Sequence, residues 1–155
     1  MSVRDEVLGL FGAWRAALDT GDPDAVVALY APDGVLVPTF SNRIRTDAAG
    51  KRSYFAKLLV RHPYAEIDEG TLRLYGDVAI HSGSYTFYFG AGPLRSASAR
   101  FTFVYRRFED GWLIVEHHSS AMPEVPPLTP MVAPSPFVEV PRERALATLG
   151  GDAPG

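Results

Sequence analysis

The sequence contains no cysteine at all among its 155 residues. That excludes thiolate catalysis, disulfide cross-links, and every zinc or iron–sulfur site that needs a thiolate. Histidine is scarce too, with only four, at His62, His81, His117 and His118. No helical His-Glu-x-x-His occurs, and a dedicated metal centre is not expected. There is no basic excess: the net charge is -3 and the isoelectric point about 5.8, which argues against a nucleic-acid or acidic-membrane footprint. No apolar run approaches the roughly 20 residues of a membrane helix, and residues 1–18 do not read as a secretory leader. The chain is therefore expected to be soluble and cytoplasmic. No glycine-rich dinucleotide fingerprint is present.

What is present fits one ordinary domain: 46% hydrophobic and 21% charged residues, enough for a core. Eight of the 13 prolines fall from Pro123 onward, which divides the chain into a domain over 1–122 and a proline-rich C-terminal tail over 123–155. Within the tail, residues 125–141 are expected to be extended, because each proline removes a donor and steers its predecessor away from helix. Residues 142–149 could add one or two helical turns.

Val7, Leu10, Phe11, Trp14 and Leu18 recur at helical spacing, giving an amphipathic first helix. Asp22-Pro23 opens a short second helix over 24–30. Pro32-Asp33-Gly34 reads as a turn before a strand at 35–37. A third helix is expected over 48–59, ended by His62-Pro63. Strands at 66–75, 78–89, 97–108 and 112–121 follow, separated by short turns and hence antiparallel. The fold class is α+β, with helices gathered on one face of a curved, mostly antiparallel sheet.

Strict alternation sorts the last strand into two faces. Trp112, Ile114, Glu116, His118 and Ser120 fall on one, and Leu113, Val115, His117 and Ser119 on the other. His117 is then expected to face away from any pocket and to support packing or a subunit contact. Trp112, Phe101 and Phe103 read as core or interface. The polar run Pro38-Thr39-Phe40-Ser41-Asn42-Arg43-Ile44-Arg45-Thr46, with Tyr54 and the end of the last strand, is expected to line one small hydroxyl-rich pocket.

This order of elements resembles the cone-shaped nuclear transport factor 2-like fold (SnoaL-like), with the sheet wrapped around about three N-terminal helices. The run from Val115 to Pro123 is similar to the closing strand of bacterial proteins resembling the calcium/calmodulin-dependent protein kinase II association domain. His117-His118-Ser119-Ser120, Met122-Pro123, the 38–46 run and Tyr54-Phe55 resemble the iota-class carbonic anhydrases, which include metal-independent members. The resemblance spans about residues 7–123. It implies interconversion of carbon dioxide and bicarbonate at Thr39, Tyr54, His118 and Ser120, with no cofactor and no metal.

Zinc lowers the pKa of its bound water from far above neutrality to about 7, worth about 12 kcal/mol. Three charge-assisted hydrogen bonds recover roughly 5–9 kcal/mol. Hydroxyls alone are thus not expected to hold a free hydroxide. Water would be deprotonated as it attacks, with His118 or Tyr54 taking the proton and Thr39 and Ser120 orienting the water. His118 could instead only orient Tyr54 or Ser120. Arg43, Arg45, Arg100 and Ser41 are candidates for binding bicarbonate, since a guanidinium fork suits its planar oxygens.

Two other functions fit the same sequence. One is a non-catalytic association or small-ligand-binding module, using the aromatic sheet face of Tyr85, Phe87, Phe89, Phe101, Phe103 and Tyr105. The other is a ketosteroid isomerase-like or polyketide cyclase-like enzyme, for which Glu116 would be the carboxylate. A homodimer through the sheet face is compatible with the first two readings.

Overall fold

The computed structural model describes residues 1–124. The elements run α1 (Val3–Asp19), α2 (Pro23–Val27), β1 (Tyr30–Val37), α3 (Ala48–Leu59), β2 (Pro63–Tyr75), β3 (Val78–Phe89), β4 (Ser96–Phe108) and β5 (Gly111–Ala121). Met1–Ala121 forms one compact unit. Apart from its first two residues, the proline-rich tail, with the extended course expected over 125–141 and the turns over 142–149, lies outside the described residues.

Local chemistry sets the helix starts. Ser2 and Asp5 form a reciprocal capping box on α1, Asp22 caps α2 with Pro23 at its first position, and Asp47 accepts from Gly50 N–H at 2.7 Å to open α3. The apolar stripe of α1 then buries Val7, Phe11, Trp14 and Leu18, each worth roughly 1.5–3 kcal/mol when removed from water.

The five strands form one sheet in the order β1-β5-β4-β3-β2. β2 to β5 are an antiparallel meander, and β1 closes the sheet by lying parallel to β5. β2 is an edge, so Pro63 can begin it without breaking a ladder. The inner face of the sheet carries Tyr85 and Phe87 from β3 and Phe101, Phe103 and Tyr105 from β4, which pack with the helices into the core. Rings stack through it: Phe103 lies 3.9 Å from the His117 ring at 19°, and Trp14 stacks on Tyr85 at 6.4 Å and 10°. This aromatic face is covered by the chain's own helices, so it cannot serve as the association surface expected from sequence.

Three irregularities depart from strict strand alternation, and besides one in β2 between Ile67 and Glu69 two bear on the interior. The expected turn at Pro32-Asp33-Gly34 is instead a bulge inside β1, whose pairing jumps from Tyr30↔Ile114 to Val35↔Glu116. A Cβ on Gly34 would meet the Ile114 carbonyl at 2.7 Å, and the fully buried Lys51 of α3 donates to the Gly34 carbonyl at 2.6 Å. The second bulge lies in β5. Tyr105 pairs with Ile114 but Val104 pairs with Glu116, leaving Val115 as an extra residue.

Candidate functional site

The Val115 bulge reverses the phase of β5. Trp112 and Ile114 face the core, and so do His117 and Ser119, at 2% and 3% exposure, whereas His118 is exposed. The single-face grouping of Trp112, Ile114, His118 and Ser120 is therefore corrected, because an extra residue shifts the two-residue period by one. His117 does not face away from the interior.

Around His117 and Ser119 a buried polar cluster is assembled from four elements and a loop. Trp14 comes from α1, Tyr30 from β1, Tyr54 from α3 and Tyr85 from β3. Thr39 lies on the loop that leaves β1. Trp14 Nε1–H donates to the Tyr30 hydroxyl at 3.1 Å, and that hydroxyl is 2.8 Å from His117 Nδ1. His117 Nε2 is 3.2 Å from the Tyr85 hydroxyl, which donates to Ser119 Oγ at 2.6 Å. Ser119 Oγ is in turn hydrogen-bonded to Thr39 Oγ1. The Tyr54 hydroxyl is within hydrogen-bonding reach of Thr39 and of the Phe40 backbone amide.

All of these side chains except Tyr30 line a cavity with Leu36, Pro38, Phe55, Leu58 and Phe87, whose free volume of about 10 Å3 admits one water-sized molecule. No aspartate or glutamate is among its lining residues. The carboxylate that isomerase or cyclase chemistry needs is absent from it, and Glu116 sits on the other side of β5 from His117.

Burial keeps the cluster neutral. It pushes the His117 pKa down to about 3, with the neighbouring His118 charge adding in the same direction. Burial raises the Tyr54 hydroxyl to about 12, against the opposing Phe40 amide, the Arg61 and Arg45 charges, and Thr39. The Tyr85 and Tyr30 hydroxyls are raised well above their ordinary value by the same desolvation. At neutral pH the cavity therefore presents uncharged hydroxyls and a neutral imidazole.

Of the residues expected from sequence, the cavity brings together Thr39 and Tyr54. His118 and Ser120 lie instead on the outer face of the sheet, lining a shallow depression of about 120 Å3 with Arg100 and Thr102. Arg45 is buried and fully engaged, donating to the Arg43 carbonyl at 3.1 Å, the Gly50 carbonyl at 2.8 Å and Ser41 Oγ at 3.0 Å. Its guanidinium also sits 5.7 Å from the Tyr54 ring centre, so Arg45 and Ser41 shape the loop carrying Thr39. Arg43 is exposed and outside the cavity lining.

Tyr85, His117 and Ser119 were missed. The pattern His-x-Ser occurs in two overlapping frames, His117/Ser119 and His118/Ser120, and the apolar run Leu113-Ile114-Val115 fits either phase. Among the described residues, no three His, Asp or Glu side chains converge as a metal-ligand set, and no helix is long and apolar enough to cross a membrane.

Residues 3–123 match the family model described as "Calcium/calmodulin dependent protein kinase II association domain". A structure from Xanthomonas campestris, provisionally named for the same domain, is 45% identical, with a TM-score of 0.77 over 81% of this chain and 91% of that one. A protein from Streptomyces avermitilis, provisionally named a dehydratase of the NTF2-like family, is 21% identical, with a TM-score of 0.66 over 76% and 94% of the two chains. A nuclear transport factor 2-like superfamily protein from Salmonella enterica is 17% identical, with a TM-score of 0.66 over 85% and 96%. The last two show the shared fold alone. No curated protein matches the sequence.

Proposed function

Given that the chain belongs to the calcium/calmodulin dependent protein kinase II association domain family, we propose that its inner cavity is the site of a metal-independent carbonic anhydrase. The observation that carries this reading is the convergence of the Thr39, Tyr54, Tyr85 and Ser119 hydroxyls and the neutral His117 on a space of one water-sized molecule. That size disfavours steroid or polyketide substrates. The space itself takes the attacking water, and carbon dioxide, three atoms in line, is small enough to meet that water from the half-buried Thr39 side. The sequence resemblance to iota-class carbonic anhydrases is carried by the same segments. The active frame is taken to be His117/Ser119.

The chemistry follows from what the cavity can and cannot hold. Water attacks the carbon, a new C–O bond forms, and one C=O electron pair moves onto oxygen. The negative charge that develops there is met by hydroxyl donors from Thr39 and Tyr54, with Ser119 holding Thr39 in place, prepared in a site shielded from bulk water. No group in the cavity takes the proton for long: His117 has its pKa near 3 and Tyr54 is already protonated below about 12. The proton therefore leaves to a solvent base, and Thr39, only half-buried, is the point of exchange. Catalysis comes from positioning and charge stabilisation.

The test is proton release during carbon dioxide hydration by chelator-treated full-chain protein. Acceleration above buffer that survives chelation supports the proposal. A wild-type protein that is inactive after chelation overturns it, whether or not added divalent metal restores activity.

A further inference from the structure

We infer that Trp14 and Tyr30 are positioning residues that hold His117 as its Nε2–H tautomer, so that the buried chain of hydrogen bonds donates toward the cavity. An indole N–H can only donate, so the 3.1 Å contact fixes Trp14 as donor and Tyr30 oxygen as acceptor. The hydroxyl proton of Tyr30, itself fully enclosed, needs an acceptor, and His117 Nδ1 stands 2.8 Å away. Nδ1 therefore accepts. A neutral imidazole carries one proton, which is then on Nε2 and points at the Tyr85 oxygen 3.2 Å away. Tyr85 can pass its own proton only onward, to Ser119 Oγ at 2.6 Å, and Ser119 is bonded to Thr39 at the cavity.

The opposite tautomer would aim His117 Nδ1–H at an oxygen already accepting from Trp14 and leave the Tyr30 proton stranded between two donors. The order Trp14, Tyr30, His117, Tyr85, Ser119, Thr39 thus runs one way, with each group accepting from the one before. The imidazole relays donor character, and as long as Nδ1 is occupied Nε2 is closed to an incoming proton. The role of this relay in stabilising an anion rests on the carbonic anhydrase reading. The tautomer does not.

The experiment is two-bond proton–nitrogen correlation NMR on full-chain protein with 15N-labelled histidine at pH 7.5, the His117 ring being assigned by its loss in His117→Gln. The expected result is a pyridine-type Nδ1 resonance and a pyrrole-type Nε2 resonance for wild type. In Tyr30→Phe, which keeps the ring and removes the hydroxyl, both resonances move toward the average of two tautomers. A wild-type His117 protonated on Nδ1, or a Tyr30→Phe spectrum unchanged from wild type, overturns the inference. If Tyr30→Phe does not fold, the wild-type spectrum decides alone. A protein that shows the Nε2–H tautomer but no carbon dioxide hydration refutes the proposed activity and leaves this inference standing.

Discussion

The Tyr85 hydroxyl donates to Ser119 Oγ at 2.6 Å while lying 3.2 Å from His117 Nε2, so one phenol on β3 holds both β5 residues of the cavity. Tyr85 is completely buried. Replacing it with phenylalanine leaves two buried polar atoms short of a partner, costing about 1–3 kcal/mol. Tyr85→Phe is expected to lower the denaturant midpoint without changing its slope, and to reduce carbon dioxide hydration by about 100-fold, the lower end of what losing one preorganised oxyanion donor costs. Paired unfolding and stopped-flow measurements check both.

Stability should fall on both sides of a neutral plateau. The folded pKa of His117 is depressed to about 3, against an unfolded value of about 6.5. Its contribution is therefore present above pH of about 6.5 and is lost as pH falls toward about 3, at up to about 1.4 kcal/mol per pH unit. His81, also depressed by burial, acts in the same direction. Tyr54 has its folded pKa raised to about 12, so its contribution holds below its unfolded pKa of about 10 and is lost as pH rises above it. Denaturant midpoints measured across pH should show this, with His117→Gln flattening the acid limb. A midpoint that does not change between pH 4 and 7 contradicts the burial of a neutral His117.

Arg45 ties the loop that carries Thr39 to the start of α3 through the Arg43 and Gly50 carbonyls and Ser41 Oγ. Arg45→Lys keeps the charge but cannot reproduce a three-way planar fork. It is expected to destabilise the protein by about 1–3 kcal/mol, as hydrogen bonds from a charged group are lost, and to raise KM more than Arg43→Lys does. Thermal unfolding and steady-state kinetics of the two variants make the comparison.

How far the sequence could be read depended on whether the governing rule was local. Helix α3 was legible because Tyr54, Phe55, Leu58 and Leu59 lie on one side and His62-Pro63 stops it. The meander was legible because its turns are short. The parallel pairing of β1 with β5 joins segments distant in sequence, which no local pattern encodes. Thr39 and Tyr54 were placed in the pocket from a loop and a helix, where a one-residue error does little harm. His117 and Ser119 were lost to His118 and Ser120 because a single extra residue, Val115, inverts everything after it in β5. The bulge in β1 was mistaken for a turn because Pro-Asp-Gly satisfies turn chemistry, while the Lys51 and Ile114 contacts that hold it within the strand are tertiary.

The most direct measurement compares Ser119→Ala with Ser120→Ala in carbon dioxide hydration on chelator-treated protein. The two residues are neighbours of the same type, and each variant loses one oxygen. Ser119 is bonded to Tyr85 and Thr39 in the cavity, whereas Ser120 lies in the outer depression. Ser119→Ala should lose about 100-fold in kcat/KM, because it unseats Thr39, a hydroxyl that meets the developing oxyanion and whose loss is of that order, with Ser120→Ala near wild type. Full activity in Ser119→Ala together with loss in Ser120→Ala would contradict the account.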